Sequence, residues 1–167
     1  MEEMTLAKAV QFAVTTEELG AKSYRRMAEK LKDDEELSAV FTRLAKDEQA
    51  HEKYFRRLLE KVPREAPKDY GEKYEVVRAM SISEFFSTHD GLRRDIDAIE
   101  TRDDALGRAF EFEKATLGYY HALKDLIGEE AELNAIIQAE KEHLVSVMRY
   151  MTTEAKFRGI EDKFHGT

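Results

Sequence analysis

Apolar residues recur along this chain at alternating steps of four and three, the spacing that lines one face of an α-helix. The first stripe is Val10, Val14, Glu17, Ala21, Tyr24, Ala28 and Leu31. It predicts a helix over about residues 4–32, with a carboxylate set into its apolar face. Lys32-Asp33-Asp34-Glu35 breaks the pattern, and Asp33 or Asp34 can cap the helix that follows. The second stripe is Leu37, Phe41, Leu44, Glu48, His51, Phe55, Leu58 and Val62, on a helix over about 35–62. So short a link makes the first two helices an antiparallel hairpin. Two further stripes follow. Leu106, Phe110, Glu113, Leu117, Tyr120, Lys124 and Ile127 predict a helix over about 103–127, capped by Asp103 or Asp104 and closed by Gly128 at C′. Leu133, Ile136, Glu140, His143, Val147 and Tyr150 predict the last, over about 129–152.

Between the two pairs lies a connection of residues 63–102, opened by Pro63, which ends the second helix. Pro67 and Gly71 mark its irregular start, Ser83-Glu84-Phe85-Phe86 reads as a short helical piece, and Asp90-Gly91 as a turn. Its length lets the chain cross to the other end of a bundle, anchored by Phe85, Phe86, Leu92 and Ile96. The charged tail 153–167 carries Phe157, Ile160 and Phe164 at helical spacing, to dock on the bundle or on a neighbouring subunit. The expectation is one all-α domain over 1–167, an antiparallel four-helix bundle with a long crossover, assembling as a homodimer.

Composition narrows the chemistry. There is no cysteine, which removes disulfides, thiolate zinc sites, iron–sulfur centres and a catalytic thiol. No apolar run approaches the roughly 18 residues of a membrane span. Met1-Glu2-Glu3-Met4 is acidic, unlike the basic start of a signal peptide, so a soluble cytoplasmic protein is expected. The net charge of −8, without a Lys/Arg cluster on one helix face, argues against nucleic acid as a partner.

The stripes carry an internal repeat. Ala13-x3-Glu17-x6-Tyr24 recurs 96 residues on as Ala109-x3-Glu113-x6-Tyr120, and Glu48-x2-His51 recurs 92 residues on as Glu140-x2-His143. Each half is a helix with one stripe glutamate followed by a helix with a Glu-x-x-His pair. One such pair alone is an ordinary surface or core pair. Two of them, both on apolar stripes and both preceded by a stripe glutamate, form the ligand set of a dinuclear carboxylate site: Glu17, Glu48, His51, Glu113, Glu140 and His143. Four carboxylates balance two divalent ions, and no Lys or Arg stands beside them to do so instead. Mixed oxygen and imidazole ligands suit iron first, with manganese or zinc as alternatives. Tyr24 and Tyr120 are core aromatics with a bonded hydroxyl, hydrogen-bond donors to a ligand carboxylate, or redox-active phenols. Asp47 is placed to orient a ligand imidazole, His143 across the core. His89, His121 and His165 have no partner pattern and read as surface or structural residues.

At these residues the chain resembles the rubrerythrin-like branch of the ferritin-like superfamily. The resemblance covers Ala13 through Tyr24 with Glu48-Gln49-Ala50-His51, and Ala109 through Tyr120 with Glu140-Lys141-Glu142-His143. It implies a ferritin-like bundle binding two irons at the six residues above, with Glu48 and Glu140 as bridges, and a reaction with peroxide or dioxygen as part of the response to oxidative stress. Full-length rubrerythrins carry a cysteine-ligated rubredoxin domain; with no Cys here, electrons must come from an external donor protein. The family's additional helix-3 glutamate has no counterpart one turn before Glu113, where Phe110 stands. Bacterioferritin shares the two Glu-x-x-His pairs, but its haem-binding Met is replaced by Gln49, which excludes haem. The resulting expectation is a di-iron oxidoreductase. The alternatives are an iron-storage ferroxidase of ferritin type and a non-enzymatic metal-binding protein.

Overall fold

The computed structural model describes residues 4–65, 71–81 and 98–164, with side chains up to Thr152. Five helices and no strand occur among the described residues: α1 (Leu6–Lys30), α2 (Glu35–Leu59), α3 (Glu72–Ser81), α4 (Arg102–Ile127) and α5 (Ala131–Phe164).

The helix ends follow from local chemistry. Thr5 caps α1, its hydroxyl accepting from the Lys8 amide at 3.1 Å. Asp34 caps α2 through the Leu37 amide at 3.0 Å. For α4 the expected cap, Asp103 or Asp104, is corrected to Thr101. Its hydroxyl accepts from the Asp104 amide, and Asp104 accepts from the Thr101 amide in return, a capping box. Gly128 closes α4 at φ +91°, a conformation that side chains disfavour. The helix α2 stops at Leu59, four residues before Pro63, because the ring of a proline disfavours helix in the residues ahead of it.

Cross-helix bonds fix the directions. The helices α1 and α4 run antiparallel, since Tyr119 Oη donates to Ala9 O at 2.9 Å near one end while Tyr24 reaches Glu113 further along. So do α2 and α5, joined by Arg43 to Ser146 at 3.2 Å and by Tyr150 to Glu36 at 3.0 Å. With α1–α2 and α4–α5 as hairpins, the order is up, down, down, up. The connection after α2 must therefore climb the whole bundle. Its first part is a helix that the sequence pattern did not reveal. From Lys73, which donates to Asp125 O at 3.0 Å, to Met80, which lies against Gly118, α3 climbs along α4 and touches α1. Ile99, bonded through its carbonyl to Lys30 at 3.0 Å, closes the far end. The expected helical piece at 83–86, the turn at Asp90-Gly91 and the anchors Phe85, Phe86, Leu92 and Ile96 lie outside the described residues, as do His89 and His165.

The apolar core is divided in two. One cluster holds Met27, Leu37, Phe41, Leu44, Leu106 and Val147. The other holds Val10, Val14, Phe55, Leu123, Leu133 and Ile137. The six candidate ligands lie between them. The buried face of α4 is wider than its predicted stripe: Ala105, Ala109, Phe112, Thr116, Tyr119 and Leu123 are buried, whereas Phe110, Leu117, Lys124 and Ile127 are only half-buried. A single 4–3 stripe describes one seam, but α4 packs against α1, α3 and α5 together. Phe110, like Leu31, Tyr150 and Met151, is half-buried against the first cluster. The last helix does not stop near Thr152. It continues to Phe164, 34 residues in all, with no proline along it to end it earlier.

Candidate metal centre

Each bundle helix contributes what its stripe implies: Glu17 from α1, Glu48 and His51 from α2, Glu113 from α4, Glu140 and His143 from α5. All four carboxylates are 0% exposed, and His51 and His143 are 7% and 6% exposed. The six form two overlapping quartets. Glu17, Glu48, His51 and Glu140 each offer an atom within 4.8 Å of the others, and so do Glu48, Glu113, Glu140 and His143. Glu48 and Glu140 belong to both quartets, the arrangement required of bridging carboxylates. The imidazoles stand side by side, ring centroids 5.7 Å apart.

The donor atoms are oriented for a cation rather than for one another. Glu17 Oε2, both oxygens of Glu48 and of Glu140, Glu113 Oε2, and Nδ1 of His51 and of His143 are buried without a hydrogen-bond partner. His51 Nδ1 lies 2.7 Å from Glu140 Oε1 but not along a hydrogen-bond direction. Eight such atoms would each cost about 1–3 kcal/mol if left so. Natural cores do not accept that cost in one place. Two metal ions satisfy all of them, so this donor set fits a dinuclear centre.

Electrostatics says the same. Burial, reinforced by the charge of Glu140, raises Glu17, Glu48 and Glu113 well above the ordinary carboxylate range. Burial pushes Glu140 upward too, but the adjacent imidazoles of His143 and His51 outweigh it and hold this carboxyl down at about 2. Both imidazoles are raised although burial opposes their charge: Glu140 raises His51, and Glu113, Glu140 and Glu48 raise His143. Without metal, the layer collects protons in place of cations.

A second ring of contacts holds the ligands. Tyr24 of α1 donates to Glu113 of α4, and Tyr120 of α4 donates to Glu17 of α1. Each tyrosine shares a stripe with one glutamate yet serves the glutamate of the other half. Sequence spacing shows that stripe but not the partner across it. Burial, then the neighbouring carboxylates, raises both phenols, so they remain protonated donors. Asp47 Oδ2 lies 3.3 Å from His143 Nε2, the geometry in which an Nε2–H donates to the carboxylate and leaves Nδ1 bare for a metal. Glu111 is exposed and takes no part, and His121 is likewise exposed.

Two residues at the centre were not singled out by the pattern. Gly20 has no side chain because the Phe112 ring occupies that space: a Cβ there would lie 2.8 Å from Phe112 Cζ and 3.4 Å from Glu48 Cγ. Thr116, one turn after Glu113, is fully buried with its hydroxyl unpartnered. Both stand three residues after a repeat glutamate and four before the repeat tyrosine, and 96 residues apart, so the internal repeat is the sequence signal that could have found them. Among the described residues the centre opens between α2 and α5. While α3 packs on α1 and α4 beside the second cluster, a cleft of about 640 Å³ between α2 and α5 reaches both histidines, bordered by Asp47, Ala139, Ser146 and Arg149.

An antiparallel bundle with two shared and two flanking buried glutamates and paired Glu-x-x-His motifs has ferritin-like architecture, and its donor set fits a dinuclear carboxylate site. The rubrerythrin family model matches residues 8–150, and the chain belongs to that family. No curated protein and no solved structure matches it. No helix among the described residues is long and apolar enough to cross a membrane.

Proposed function

We propose that this protein is a di-iron carboxylate oxidoreductase that reduces peroxide or dioxygen with electrons from an external donor protein. The observation that carries this reading is the pair of ligand quartets sharing Glu48 and Glu140 in a layer closed above and below by apolar side chains. Two irons bound there would supply the electrons that cleave the O–O bond of a small oxidant. The protein's own part is positional and electrostatic. Four carboxylates neutralise two divalent ions. Tyr24 and Tyr120 hold Glu113 and Glu17 in place and keep their protons while doing so. Asp47 fixes the ring of His143. The cleft between α2 and α5 admits a small molecule to the histidine side. With no cysteine among these 167 residues, they build no thiolate-bound electron-transfer centre, and in this reading the electrons come from an external donor.

The test is anaerobic addition of hydrogen peroxide to the iron-loaded, chemically reduced protein, followed optically. One peroxide takes two electrons and two protons to give two waters, so one equivalent should oxidise both irons. An unchanged iron spectrum would remove the redox function and leave a structural metal site. Elution as a very large shell loaded with iron far beyond two per chain would favour storage instead.

A further inference from the structure

The internal repeat is exact at the ligands and broken beside them. Glu48 and His51 map onto Glu140 and His143 at a displacement of 92 residues, so Asp47 maps onto Ala139. Asp47 Oδ2 lies 3.3 Å from Nε2 of His143. Ala139 lines the same cleft as His51 but offers only a methyl group. The outer nitrogen of one candidate ligand histidine is thus engaged by a carboxylate, and the equivalent position of the repeat offers the other only a methyl group.

A carboxylate behind a ligand imidazole fixes its tautomer, holds its ring and raises its basicity toward the metal; loss of such a partner costs about 10–100-fold in metal affinity. From this broken symmetry we infer that the two metal positions are unequal: the one built on Glu113 and His143 binds its ion more tightly, with Asp47 as its positioning residue, and the one built on Glu17 and His51 binds its ion more weakly. This inference rests on the dinuclear reading above and goes beyond it, because that reading treats the two positions alike. The consequence is an order of assembly. The first ion enters at His143. The second completes the pair at His51, beside the open cleft, and leaves first when metal is withdrawn.

The experiment is a titration of the metal-free full-length protein with cobalt(II), with bound and free metal measured by equilibrium dialysis at one fixed pH and coordination followed in the visible spectrum. Shared bridging carboxylates can themselves separate two binding steps, so the variants decide the matter. Asp47→Ala should weaken the tighter step about 10–100-fold and leave the weaker one in place, and Asp47→Asn, which retains an acceptor oxygen, should restore part of the loss. His51→Ala should keep the tight step and lose the weak one, and His143→Ala should do the reverse. Ala139→Asp, which supplies the missing partner, should strengthen the weaker step, a gain that mere tolerance of the substitution would not produce. Circular dichroism of each variant confirms that it is folded. If Asp47→Ala and Ala139→Asp both leave the two steps unchanged, or if His51→Ala removes the tight step, the inference is overturned while the dinuclear site stands. If the wild-type protein binds no cobalt, the dinuclear reading itself fails, and this inference with it.

Discussion

Adding one carbon at Gly20 tests how tightly the metal layer is built. Its Cβ would fall 2.8 and 2.9 Å from the Phe112 ring and 3.4 Å from Glu48 Cγ. The ring must retreat by about 0.7 Å to reach an ordinary carbon–carbon separation. It has little room, being 3% exposed and set edge-on to Tyr24 with centroids 5.9 Å apart. Overpacking of this kind costs about 1–3 kcal/mol. Replacing a helical glycine by alanine returns about 1 kcal/mol of helix propensity. The net is a loss of about 1 kcal/mol, or about 2–4 °C in melting temperature for a chain of this size. Gly107 is the control. It also lies inside a helix, α4, but among the described residues nothing stands within 4 Å of a Cβ built there. There only the propensity acts, and Gly107→Ala should stabilise by about 0.5–1 kcal/mol. Calorimetry of the two metal-free variants gives both values. Gly20→Ala melting at or above Gly107→Ala would refute the packing of α1 against α4.

Three further outcomes follow from the centre. Glu113→Ala leaves one quartet complete, so at saturating metal it should fall from two ions per chain to one. Glu111→Ala, on the exposed face, should keep two, and equal loss in both by elemental analysis would sink the ligand assignment. Tyr24→Phe and Tyr120→Phe each remove the donor to a buried carboxylate and should cost the metal-loaded protein about 1.5–3 kcal/mol apiece in thermal unfolding; a shift near zero would mean these bonds do not hold the ligands. Stability should also depend on pH in opposite ways with and without metal. Glu17, Glu48 and Glu113 are raised in the fold, so their contribution is complete below the ordinary carboxylate value of 4.5 and is lost as pH rises toward their folded values. His51 and His143, raised from 6.5, lose theirs as pH rises above that value, while Glu140, lowered, loses its own only in strong acid. The metal-free protein should therefore melt lower at about pH 8 than at about pH 5, and the gain on adding metal should grow over the same range, because binding displaces protons. A metal-free melting temperature that climbs with pH would contradict this.

The ligand positions were legible because they sit on seams. A glutamate or histidine in a 4–3 apolar stripe must face the core, and the same pattern in both halves placed six donors in one layer. What the pattern could not show was what lies beyond a single seam. The helix α3 has only Val77 fully buried and follows Pro67 and Gly71, so its ten residues carry little periodic signal. The cap at Thr101 was hidden by the acidic pair two and three residues later, although Thr101-x-x-Asp104 is itself a capping signature. The continuation of α5 to Phe164 was foreshadowed by Phe157, Ile160 and Phe164 at helical spacing and was masked by the charge around them. Pairing across the bundle decides the contact of Gly20 with Phe112 and the crossed tyrosine bonds. One chain's periodicity gives the face of each helix but not the neighbour it meets.

The most direct test of a shared, dinuclear centre is the iron content of the purified protein, measured together with its magnetic spectroscopy after oxidation. Two irons per chain, coupled through the bridging carboxylates so that the oxidised pair gives no signal of isolated ferric ions, is the predicted result. One iron per chain with the resonance of an isolated ion, or no bound metal at all, would contradict the account.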